Sequence, residues 1–119
     1  MPFRILVRDK DQALAWYVAL GFEVEEQWGP AFAILKLGEE RLWISGPQTS
    51  AAQPMPDGRL PEPGGWNRPV VAVADIGEVV ARLHEIGTVF RNDPVSGPGG
   101  TQVLVDDPSG NPVEIFQPR

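Results

Sequence analysis

The run Asp107-Pro108-Ser109-Gly110-Asn111-Pro112-Val113-Glu114-Ile115-Phe116 divides into a tight turn and a strand. Pro108, Ser109, Gly110 and Asn111 are turn formers, and Gly110 is free to adopt φ > 0. Val113, Ile115 and Phe116 have strand chemistry, and alternation places Glu114 on the face opposite Val113 and Ile115. A carboxylate aimed inward from a strand is a metal ligand or a general base. The plainer alternative is an exposed Glu on an edge strand.

A second pattern stands at the other end of the chain: Val7-Arg8-Asp9, Ala13, Trp16-Tyr17, then Leu20-Gly21-Phe22. Asp9 and Asp11 are candidate N-caps, Leu14, Tyr17 and Val18 are spaced as one apolar helical face, and Gly21 stops the helix. A strand over 3–8 precedes it, and short strands near 22–27, 31–37 and 41–45 follow. The plan then repeats. A strand over 68–74 leads to Asp75, a helix with Ile76, Val79, Val80 and Leu83 on one face, a stop at Gly87, and strands near 88–91, 101–105 and 112–117. Asp9 and Asp75 lie 66 residues apart, and so do Gly21 and Gly87. A constant offset is the trace of a duplicated βαβββ unit, whose small sheets need each other to bury their apolar faces. The expected layout is one domain over 1–119, with repeats at 1–45 and 66–119 and a Pro/Gly-rich connector at 46–65. A long connector without periodicity is either a linker or a cover over a site.

Taken together, the two end motifs resemble the opening and closing signatures of the glyoxalase/bleomycin-resistance/dioxygenase superfamily (the vicinal oxygen chelate fold), and the chain is similar to its bacterial glyoxalase-like proteins. The resemblance implies an α+β fold in which two βαβββ modules pair curved mixed sheets around a cup, with the helices outside. Metal-dependent members supply His, Gln or Glu from four strands, the first position lying seven residues before the helix-opening Asp. Those positions are Pro2 and Arg68 here, and the third is Leu42 or Trp43. Proline has no side-chain donor and a guanidinium repels a cation. Glu114 alone remains, so neither a metal nor another cofactor is expected.

Composition narrows the function classes. A net charge of −6 without a basic stripe argues against nucleic acid. No apolar run approaches a membrane span, and the first residues lack a signal-peptide core, so a cytoplasmic location is expected. Zero cysteines exclude thiolate chemistry. The sole histidine, His84, sits within a helix, where a boundary position is the ordinary reading. No serine stands in a Gly-x-Ser-x-Gly elbow. The glycine clusters at 64–65 and 97–100 lack a following helix and lysine, and read as a loop and a hairpin turn.

Four tryptophans supply binding chemistry instead. Trp43, Trp66, Asn67, Arg68 and Glu114 are the candidate ligand-binding residues, with Glu114 also the candidate catalytic group. Aromatic walls recognise planar or cationic ligands with gains of about 0.5–2 kcal/mol beyond burial. Arg68 either forks a ligand carboxylate or pairs with Glu114. The expected function is metal-independent small-molecule binding of the bleomycin-resistance kind, serving antibiotic or metabolite sequestration. Two alternatives stand beside it. One is a glyoxalase-type lyase or extradiol-type dioxygenase using metal on Glu114. The other is a metal-free acid/base enzyme in which Glu114 moves a proton. A homodimer is expected, with Trp16 as a contact.

Overall fold

The computed structural model describes residues 1–119. Both halves fold on one plan, with each helix framed by the residues that the sequence offers as caps. In the first half β1 (Phe3–Leu6) is followed by α1 (Lys10–Leu20), β2 (Glu23–Trp28), β3 (Phe32–Leu37) and β4 (Glu40–Ser45). Asp9 caps α1 by accepting from the Gln12 amide, and Gly21 closes it at φ 126°. In the second half β5 (Val70–Ala72) leads to α2 (Ile76–Glu85), then β6 (Val89–Phe90), β7 (Val95–Gly97), β8 (Gly100–Asp106) and β9 (Pro112–Pro118). Asp75 caps α2 through the Glu78 amide, and Gly87 follows it at φ 78°.

The first sheet has the order β1-β4-β3-β2 and the second β5-β9-β8-β6, with β7 added on β8. In each, the strand before the helix pairs in parallel with the last strand of its half, and the remaining pairs are antiparallel. β9 therefore lies between two partners, and Glu114 is not on an edge strand. The register carries the duplication into the sheets. Arg4 pairs with Trp43, and Val70, 66 residues after Arg4, pairs with Glu114. Trp43 is thus the counterpart of Glu114, which settles the choice between Leu42 and Trp43.

Alternation sorts each sheet into two faces. Ile5, Leu35, Leu42 and Ile44 from the first sheet, and Val71, Val103, Val105, Val113 and Ile115 from the second, join α1 and α2 in one core. The helices meet each other, with Arg82 Nε donating to the Ala19 carbonyl and Trp16 Nε1 to Thr88 Oγ1. Trp43 and Glu114 alternate with those core residues, so both point away from the helices. No helix is long and apolar enough to cross a membrane.

Three expectations are corrected. Val18 is exposed, and α1 buries Ala13, Leu14, Trp16, Tyr17 and Leu20 instead. Trp16 is only 6% exposed and packs edge-on against Tyr17, so it is no contact for a second copy. The strand expected at 68–74 shrinks to Val70–Ala72, because Pro69 has no amide to give the ladder. β7 adds a strand to β8 where the sequence marks only the hairpin turn between them.

The Asp107–Asn111 turn fastens the halves together. Asp107 Oδ1 accepts from the Ser109 and Asn111 amides, and Oδ2 accepts from the Tyr17 hydroxyl at 2.8 Å and from Asn111 Nδ2. Asn111 Nδ2 also donates to the Leu6 carbonyl, and Ser109 Oγ accepts the Arg8 amide. Burial first, then the charge of Asp107 and the hydrogen bond to it, push the Tyr17 phenol well above its ordinary pKa.

Candidate functional site: an aromatic cavity and an ion-paired face

The exposed face of the first sheet carries a cavity of about 520 Å³. Hairpin β3–β4 turns at Gly38–Glu39, and its register sets Ile34 opposite Trp43 and Phe32 opposite Ser45. Trp28 pairs with Phe32 on the other side. Trp28, Phe32 and Trp43 meet edge-on in sequence, with ring centres 6.0 and 6.1 Å apart. Arg4, brought alongside by the parallel pairing, lays its guanidinium 5.1 Å from the Trp43 ring centre and donates from Nη1 to Ser45 Oγ at 2.9 Å. Gln48, Thr49 and Ser50, the opening of the connector, complete the wall. Thr49 is held by its hydroxyl on the Gly46 carbonyl, and Gly46 by its amide on Ala31.

The exposed face of the second sheet carries an ion pair. Arg68 Nε and Nη2 both donate to Glu114 Oε1, at 3.1 and 2.8 Å. The Glu114 side chain is 12% exposed and that of Arg68 30%. Beside them Arg91 forms a hub. It pairs with Asp106, donates to the carbonyls of Gly65 and Gly110, and stacks 4.6 Å from the centre of the Trp66 ring. Asn111 Oδ1 accepts the Gly64 amide. The connector therefore walls the cavity at its start and is pinned to the second sheet at its end.

Of the five candidate ligand-binding residues, Arg68 and Glu114 come together, with the Trp66 carbonyl accepting from Arg68 at 3.4 Å. Trp43 lines the cavity, and the other four do not. Asn67 lines a narrower cleft of about 150 Å³ between the edges of the two sheets, which also reaches Arg4. Trp66 is 70% exposed. Sequence reading missed Arg4, Trp28, Phe32, Ile34 and the Gln48–Ser50 segment. Counting outward from the Gly38–Glu39 turn would have placed Ile34 and Phe32 on the Trp43 face. Nothing local marks Arg4.

The residues present do not fit a divalent ion. No three His, Asp or Glu side chains cluster in the molecule. His84 is exposed and stacks on Phe90, with ring centres 4.2 Å apart. Glu114 faces a guanidinium, and its counterpart is an indole.

The fold agrees with the comparisons. The chain belongs to the glyoxalase/bleomycin resistance protein/dioxygenase superfamily, whose family model matches residues 2–115. A member of that superfamily from Sphaerobacter thermophilus is 28% identical, with 98% of this chain and 94% of that one covered at a TM-score of 0.76. TnmS3, an antibiotic binding protein from Streptomyces, is 25% identical, covering 99% and 93% at 0.74. A lactoylglutathione lyase from Agrobacterium tumefaciens, 22% identical and covering 98% and 91% at 0.71, shares the fold. No curated protein matches the chain.

Proposed function

We propose that this protein binds a small aromatic molecule without a metal and retains it unchanged, as a sequestering protein does. The observation that carries this reading is the Trp28–Phe32–Trp43 wall around a cavity of about 520 Å³. That size and its mostly apolar lining suit a small-molecule site. The likeness to TnmS3, which binds an antibiotic, supports the same direction. A neutral bicyclic probe, naphthamide, is expected to bind one per site by calorimetry and to be recovered with unchanged mass. Trp43→Ala is expected to weaken it about tenfold, the loss of one stacking wall. Conversion of the probe, or equal binding by the variant, overturns the reading. Titration with Mn²⁺, Zn²⁺, Ni²⁺ or Fe²⁺ is expected to show no stoichiometric site. A sub-micromolar site lost in Glu114→Gln overturns the metal-free part.

The protein is also proposed to be a cytoplasmic homodimer. Trp43 and Glu114 sit on different sheets whose other faces share one core, so one chain does not bring them to a common cavity. A second copy laying its Arg68–Glu114 face over the cavity would bring the five residues together and cover Trp28, Trp66 and Val70, all exposed. Sedimentation at micromolar concentration is expected to show twice the chain mass, and a 13.0 kDa species alone defeats the pairing.

A further inference from the structure

Within one chain, the cavity lining carries one formal charge, and it is positive. None of the ten lining residues is Asp or Glu, and Arg4 is the single basic one. This is unusual surroundings for a cation in a chain with 16 acidic and 10 basic residues. Seven of those ten basic side chains are engaged in ion pairs: Lys10, Lys36, Arg41, Arg59, Arg68, Arg82 and Arg91. Arg4 is not among them. Its protein partners are the Ser45 hydroxyl and the Trp43 ring, both neutral. Nη1 bonds to Ser45, which leaves Nε and Nη2, the edge of the fork that matches two oxygens of one anion.

We infer that the cavity selects planar aromatic anions, a ring system carrying a carboxylate or phenolate, with Arg4 as the anion receptor. The inference rests on the proposed binding function and names its ligand class. The ring replaces water against the edges and faces of Trp28, Phe32 and Trp43, while the anionic oxygen meets the free edge of Arg4. Once the ligand covers Arg4, water no longer competes for that contact, and the charge-assisted bonds strengthen. A cationic ring of the same shape meets repulsion from Arg4, which no carboxylate of the same chain's lining offsets, and in the proposed dimer the facing Arg68–Glu114 pair adds no net charge.

Three isosteric probes separate the ligand class from the pocket itself: naphthoate, naphthamide and naphthylmethylammonium, each titrated by calorimetry. On the natural protein naphthoate is expected to bind about tenfold more tightly than naphthamide, and the ammonium more weakly than either. Arg4→Gln, which keeps a donor for Ser45, is expected to erase the preference, weakening naphthoate about tenfold more than it weakens naphthamide. Arg4→Lys keeps the charge and is expected to retain part of the preference, which guards against a folding defect in the glutamine variant. Equal binding of naphthoate and naphthamide by the natural protein overturns the anion selectivity and leaves the aromatic pocket standing. A preference that survives Arg4→Gln also overturns it. Failure of all three probes at millimolar concentration overturns the pocket and the inference with it.

Discussion

Asp107→Ala is expected to destabilise the protein by at least about 3 kcal/mol, a drop of roughly 10 °C in melting temperature. Four hydrogen bonds end on this one buried carboxylate, from the Tyr17 hydroxyl, the amides of Ser109 and Asn111, and Asn111 Nδ2. Alanine leaves the Tyr17 hydroxyl without its acceptor inside the core, and frees Asn111, which also holds β1 and the connector. Tyr17→Phe is expected to cost only about 1 kcal/mol, because Asn111 Nδ2 still satisfies the same oxygen. Urea unfolding of the three proteins orders them, and a larger loss in Tyr17→Phe than in Asp107→Ala contradicts this account. The same knot sets an alkaline limit. The folded Tyr17 pKa lies above its unfolded value of about 10, so its contribution is complete below pH ~10 and is lost as pH rises through the folded value. Tyr17 is the single tyrosine, so tyrosinate absorbance follows it alone.

Breaking the Arg68–Glu114 pair is expected to be asymmetric. Arg68→Ala leaves a carboxylate 12% exposed with no counter-charge, and is expected to cost about 2–3 kcal/mol, less than for a fully buried pair. Glu114→Ala leaves a guanidinium that is 30% exposed on a flexible stem, free to turn toward water, and is expected to cost about 1 kcal/mol or less. The double variant is expected to be more stable than Arg68→Ala alone, since no orphan charge remains. Equal single losses, measured as shifts in urea midpoint at constant slope, would show that Glu114 is solvated without its partner.

The features legible in the sequence are those decided within a few residues. Asp9 and Asp75 cap their helices by reaching an amide three positions on, and Gly21 and Gly87 turn the chain where φ must be positive. Alternation within β9 fixes Glu114 opposite Val113 and Ile115 whatever lies around the strand. The 66-residue repeat then marks two copies of one unit. Tertiary structure alone decided what those elements meet. Arg4 reaches Trp43 through a parallel pairing that closes across a whole helix and hairpin, and no local preference sets such a register. Asp107 reads in sequence as the anchor of its own turn, yet its other oxygen bonds Tyr17 in the opposite half. Trp16 reads in sequence as a contact for a partner and is instead buried where α1 meets the segment after α2. Trp43 and Glu114 occupy matched positions in the two repeats, but which side of the molecule each faces depends on how the sheets share their core. Capping, turns and alternation are short-range hydrogen bonding and geometry, whereas the cavity is made where distant apolar faces find each other.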